Sequence, residues 1–215
     1  LVSREDYRQN ILPALQAILP LHNLTVVELG AGTGRLTCLL APRVKFIHAL
    51  DRSSHMLEVA AEKLERGGWR NWRTAVCDHR QLDAEDACAD LAISGWSVCY
   101  VYVDNPATRQ GELDKVVDEM RRILRPGGMM ILLETLGTGF KEPQPPVELQ
   151  PYFAYLETCG FQRRWIRTDY RFENLAQAQE LASFFFGETM LEKIQVDERG
   201  VILPECTGLW WRIRD

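Results

Sequence analysis

The residues whose types and spacing could do chemistry form one cluster: Glu28-Leu29-Gly30-Ala31-Gly32-Thr33-Gly34-Arg35, directly after an apolar run at 24–27. Glycines admit backbone conformations and a close ligand approach that a Cβ would block. Amides at the start of a following helix carry partial positive charge, so such a loop suits a carboxylate or a phosphate. Two phosphate-binding spacings fail, however. The dinucleotide fingerprint wants glycine at the first, third and sixth positions, whereas Arg35 stands at the sixth and the third glycine comes one step early at Gly34. A Walker loop needs Gly-Lys-Ser/Thr, and Gly34 is followed by Arg35-Leu36. Glu28 would repel a pyrophosphate but tolerates a ligand that carries an ammonium or sulfonium. Further carboxylates follow in order, Asp51 about 20 residues on, where a ribose-binding acid is expected, and then Asp78.

These residues need strands that end together. Residues 24–29 (LTVVEL) read as a buried strand, with a helix over about 34–40, and 45–50 (KFIHAL) as a second strand. Ser53 caps a helix with Met56, Leu57, Ala60, Ala61 and Leu64 on one face, stopped by Gly67-Gly68. Residues 72–77 and 90–94 read as further strands, 107–124 as a helix, and 129–134 (MMILLE) as a fifth strand after Pro126-Gly127-Gly128. A first helix follows Asn10. Short apolar runs alternating with helical patterns predict a parallel sheet with crossover helices. The four prolines within 141–151 make a linker. After it, 149–158 reads as a helix and 161–172 as one alternating strand. Asn174 caps a helix running to Gly187, within an insertion at 174–199, and 209–213 (LWWRI) is the last strand.

The bulk numbers exclude several classes. A chain of 215 residues suits one domain, and 46% hydrophobic with 26% charged residues is ordinary for a folded one. A net charge of −5 argues against a nucleic-acid backbone as partner. None of the six cysteines forms a CxxC pair or sits at zinc spacing with the four histidines, so no metal is expected. No apolar stretch approaches the roughly 20 residues that span a bilayer, and no secretory signal opens the chain, so a cytoplasmic location is expected.

ELGAGTGRLT resembles motif I of the class I S-adenosylmethionine-dependent methyltransferases. The likeness continues through DRSSHMLEVAAEKL, CDHRQL, DLAIS and RRILRPGGMMILLE, and is strongest for motif I with RPGG at this spacing. It implies a Rossmann-like α/β fold over residues 1–215: a seven-stranded, mostly parallel sheet, helices on both faces and an antiparallel last strand, with the cofactor half at about 24–135. It further implies that Gly30, Ala31, Gly32 and Gly34 cradle the methionine part, with Glu28 near its amino group. Asp51 would hold the ribose, Arg52 and Met56 would flank the adenine, Asp78 and the backbone of His79 would meet its edge, and Ser94 would face the methyl group.

Methyl transfer from a sulfonium is an in-line displacement, so positioning is the main task, and a base is needed only when the acceptor atom carries a proton. No catalytic residue is therefore legible. Weak candidates are Tyr100, Tyr102, Asp104 and His55. The segment from Trp96 to Asp104 could wall an acceptor site or pack on its own helix. The run Phe184-Phe185-Phe186 could line that site or be ordinary core. The acceptor is expected to be a small molecule; the oligomeric state is not readable. Two other readings stand beside this one: a catalytically silent, methyltransferase-like binding protein, and an NAD(P)-dependent oxidoreductase.

Overall fold

The first strand shows why the sheet forms where it does. Val26 and Val27 are both buried but enter opposite cores, because successive side chains of a strand leave on opposite faces. The same alternation holds for Leu91 and Ala92, and for Met130, Ile131, Leu132 and Leu133. Strands buried on both sides read as continuous apolar runs and require helices on both faces.

The computed structural model describes residues 1–198 and 200–215. Strands β1 (Thr25–Leu29), β2 (Phe46–Asp51), β3 (Trp72–Val76), β4 (Ala89–Gly95), β5 (Leu124–Thr138) and β6 (Gln162–Arg167) are followed by the short β7 (Tyr170–Phe172), β8 (Gln195–Asp197) and β9 (Gly200–Leu203), and by β10 (Glu205–Ile213). The main sheet has seven strands in the order β3-β2-β1-β4-β5-β10-β6. β10 runs antiparallel to both β5 and β6, whereas β1, β2, β3, β4 and β5 pair in parallel. This is the expected architecture.

Helices α1 (Ile11–Gln16), α2 (Arg35–Leu40) and α3 (Ser54–Arg66) precede α4 (Val98–Asp104), α5 (Arg109–Ile123), α6 (Gln150–Thr158) and α7 (Leu175–Phe186). The first two pack on one face, and α4, α5 and α6 on the other. There Trp210 stacks on Phe153 at 4.6 Å. Each fully buried leucine or isoleucine of these cores contributes about 1.5–3 kcal/mol. Caps match the sequence signals: the Ser53 hydroxyl accepts from the Met56 amide, and the Asn174 side chain accepts from that of Gln177. Among the described residues no helix is long and apolar enough to cross a membrane.

Three expectations change. Residues 161–172 are two strands, because the chain leaves the main sheet after Arg167. The Asp169 carboxylate accepts from the Glu205 amide and the Arg167 guanidinium, which fixes the break, and Tyr170–Phe172 then pairs with β9. The last strand begins four residues earlier than read, at Glu205. The insertion is only partly helical: after α7 the segments Gln195–Asp197 and Gly200–Leu203 pair, completing a small three-stranded sheet of order β7-β9-β8. A further helix, α4, fills the stretch after β4.

Candidate functional site

The parallel strands β1, β2 and β4 end at one edge, and the chain turns sharply there. Gly30, Gly32 and Gly34 have φ of +69°, +52° and +81°, the left-handed region that favours glycine. Two of them are closed in by neighbours. A Cβ on Gly30 would collide with the Ser97 hydroxyl, and one on Gly34 would press on Ala60 of α3. At Gly32 a Cβ would meet nothing within 4 Å, so this residue presents bare backbone to open space.

That space is a cavity of about 640 Å3 whose walls include Gly30, Ala31, Gly32, Asp51, Arg52 and Met56. Asp51 ends β2 and ties the loop to the next helix: one carboxylate oxygen accepts from the Gly32 amide at 2.8 Å, the other from the Ser53 amide at 2.9 Å. Met56 is 42% exposed, so its thioether side chain belongs to the cavity wall and not to the core of α3. A second cleft, of about 220 Å3, shares Asp51, Arg52, Ser97 and Tyr100 with the first. It adds Asp78, His79 and Asp104. The Asp78 carboxylate is gripped by Arg80 through bonds of 2.6 and 2.7 Å, which holds its acid down at about 2. His79 is bonded to the Ser97 hydroxyl at 2.8 Å, and burial lowers its pKa, which favours the neutral ring.

The structure does not bring the other candidates to these walls. Glu28 lies behind the loop, 2% exposed, where it accepts from the Thr37 hydroxyl at 2.7 Å. Burial pushes its acid up to about 8. Ser94 is fully buried and donates to the Leu29 carbonyl at 2.8 Å, tying β4 to β1. It does not face the cavity, and Gly95, Trp96 and Ser97 take that place. Gly34 is packing, as its contact with Ala60 requires. Tyr102 is core, stacked on Tyr152 at 5.9 Å beneath the Arg109 guanidinium. His55 points outward from α3 and reaches only Glu58, at 3.9 Å. Of the three phenylalanines only Phe186 lines the cavity; Phe184 is 80% exposed.

The far half of the same cavity carries residues that spacing did not single out: Glu5, Arg35, Glu134 and Glu205, with Thr135, Thr138 and Tyr170. Arg35 of α2 bonds Glu5 at 2.7 Å and lies 3.7 Å over the ring of Trp96. Glu134 of β5 accepts from the Cys99 amide and the Tyr152 hydroxyl, both at 3.1 Å. Glu205 of β10 accepts from Thr135 at 2.7 Å. Glu134 had a signal that could have been read: like Glu28 and Asp51, it is an acid ending an apolar run read as a central strand. Glu205, beside Pro204 in a stretch read as loop, had none.

A methyltransferase-domain family profile matches residues 27–132. The phosphoethanolamine N-methyltransferase 1 of Triticum aestivum is 29% identical over 134 residues, 61% of this chain and 25% of that protein. A demethylmenaquinone methyltransferase of Desulfitobacterium hafniense (strain Y51) is 31% identical over 146 residues, 66% of this chain and 52% of that protein. The chain thus spans about half the length of these relatives or less. Among solved structures, the YcgJ protein of Bacillus subtilis superposes with a TM-score of 0.66 at 14% identity, over 97% of this chain and 99% of that one, a likeness of fold. Taken with the sheet order and the glycine turn, the match means that residues 27–132 of this chain are a methyltransferase domain of the class I S-adenosylmethionine-dependent type.

Proposed function

We propose that residues 1–215 act as one domain that binds S-adenosylmethionine at the β1–β2 edge and transfers its methyl group to a small-molecule acceptor in the same cavity. The observation that carries this reading is the open face of Gly32 beside the Asp51 carboxylate, a bare backbone and an acid on one wall of a cavity large enough for two small molecules. Asp51 keeps lone pairs for ribose hydroxyls, Met56 and Arg52 offer flat cover for the base, and the cleft of Asp78 and His79 continues past Asp51 to receive it. The bound cofactor would supply an electrophilic methyl group on a sulfonium. The chain supplies orientation: the glycine turn and Asp51 fix one end, and Trp96, Ser97 and Tyr100 close the wall beside the acceptor. A cytoplasmic location agrees with this chemistry, and the curated relatives, named for phosphoethanolamine and demethylmenaquinone, favour a small acceptor.

Calorimetry with S-adenosylhomocysteine and with NAD tests the reading. Saturable binding of the first and none of the second is expected. Binding of NAD alone would replace it with an oxidoreductase. Binding of adenosylhomocysteine with no labelled methyl transferred to any of a metabolite library would leave a silent binding protein.

A further inference from the structure

Four polar atoms of residues around the far half of the cavity are buried and have no hydrogen-bond partner among the described residues: Glu5 Oε1, Arg35 Nη2, Glu134 Oε2 and Glu205 Oε2. Leaving such an atom unsatisfied costs about 1–3 kcal/mol, and more for a charged group. All four belong to residues that line the one cavity. Arg35 is already matched by Glu5 at 2.7 Å, and Glu134 and Glu205, 1% and 2% exposed, form no ion pair among the described residues. Both carboxyls are held on one oxygen by protein donors, Glu134 by Cys99 and Tyr152 and Glu205 by Thr135, so each presents its other oxygen in a fixed direction.

The cofactor itself is a poor match for these two acids. In the sheet, β5 lies three strands and β10 four strands from β2, and strands are spaced by about 4.8 Å. Glu205 is therefore roughly 19 Å across the sheet from Asp51, further than the ribose of one adenosyl amino acid stands from its amino group. What the pair lacks is a second ligand, one that donates hydrogen bonds and carries positive charge.

Resting on the methyl-transfer reading above, we propose that the acceptor is a small amine, anchored by Glu205, whose nitrogen gives its proton to Glu134 before it is methylated. The ammonium form enters. Glu134 Oε2 takes one N–H proton, which frees the nitrogen lone pair. That pair forms the N–C bond to the methyl carbon while the C–S bond breaks and leaves its electrons on sulfur, so the sulfonium becomes a neutral thioether and the product leaves as an N-methylammonium. Burial pushes the Glu134 acid up to about 7, a useful range for a base at neutral pH. The groups facing it are the Cys99 thiol and Tyr100 hydroxyl of α4 and the Tyr152 hydroxyl of α6, all also pushed up by burial and therefore neutral there. Burial likewise raises Glu205 to about 8, and Glu5 and Arg35 are the charges that face it.

The test offers the full chain, with label on the donor methyl, ethanolamine, benzylamine and phenethylamine beside their isosteric alcohols. Label should enter amines at least about tenfold faster than alcohols. Glu134→Gln should cut turnover by about a hundredfold. It should also move the rising limb of the pH–rate profile from near the Glu134 value towards the pKa of the amine itself, with adenosylhomocysteine affinity within about twofold of wild type. Glu205→Gln should raise the KM for the amine by about tenfold at nearly constant kcat. If Glu134→Gln does not fold, Glu134→Ala carries the same readouts, because it too removes the base. Label in alcohols only, label in neither class with adenosylhomocysteine still bound, or an unaltered pH profile in the Glu134 variant would each overturn the amine while sparing the cofactor reading. Failure of adenosylhomocysteine to bind would take down both.

Discussion

The two halves of the cavity are built on opposite terms. On the side of β1, β2 and β3 nearly every polar group is spent on protein: Asp51 on the Gly32 and Ser53 amides, Asp78 on Arg80, His79 on Ser97. On the side of β5 and β10, Glu134 and Glu205 each keep an oxygen that bonds nothing among the described residues, and Arg35 and Glu5 each keep an atom likewise. A satisfied network holds a shape that a ligand enters without rearranging it. An unsatisfied one stays strained until the right ligand arrives, which makes it a device for choosing among ligands. The first half therefore resembles a socket for a constant guest, and the second a filter.

The largest effect should come from filling the socket. Gly32→Arg puts a long side chain into the open space at a φ of +52°. It should lower adenosylhomocysteine affinity by more than about a hundredfold with an unchanged far-ultraviolet circular dichroism spectrum. Unaltered calorimetric affinity would mean that the ligand lies elsewhere.

Next comes a change on the filter side that should leave the socket intact. Arg35→Met strips Glu5 of its counter-charge and Trp96 of its stacked cation. A loss of about 3 kcal/mol in urea unfolding is expected, because a buried charge is left alone, with cofactor affinity nearly unchanged. A collapse of that affinity would erase the division between the halves.

Asp51→Ala should weaken adenosylhomocysteine binding by about 1–3 kcal/mol through lost charge-assisted hydrogen bonds and a loosened glycine turn. An affinity equal to wild type would mean that Asp51 only caps its helix.

The smallest effect concerns Glu28, held behind the loop. Its acid is raised from the ordinary range to about 8 by burial. Folding therefore favours its protonated form, and its contribution to stability, full below about 4.5, is lost as pH rises through about 8. Glu28→Gln keeps an oxygen for Thr37 and should flatten that decline relative to wild type. Parallel urea midpoints for the two proteins from acid to mildly alkaline pH would show that Glu28 stays charged and faces the ligand after all.

The socket was legible and the filter was not, for a reason visible in particular residues. Gly30, Gly32 and Asp51 lie on β1 and β2 with their turns, so their placement at one edge follows from local spacing and from the rule that parallel strands deliver their turns to one edge. For Tyr102 and Ser94, spacing fixes which edge a residue is near but not whether its side chain turns into the core, as Tyr102 does against Tyr152 and Ser94 against Leu29. Glu5 and Glu205 stand at opposite ends of the chain, and only the folding of the N-terminal segment and β10 over the sheet brings both into one cavity.

The sequence by itself determined the alternating parallel architecture, the glycine turn and the acid after β2, because hydrophobic period and backbone stereochemistry act over a few residues. The tertiary structure alone decided which carboxyls are desolvated, which are bonded on both oxygens and which keep one buried oxygen unbonded. That is a matter of what surrounds a side chain in three dimensions, and no short-range pattern encodes it.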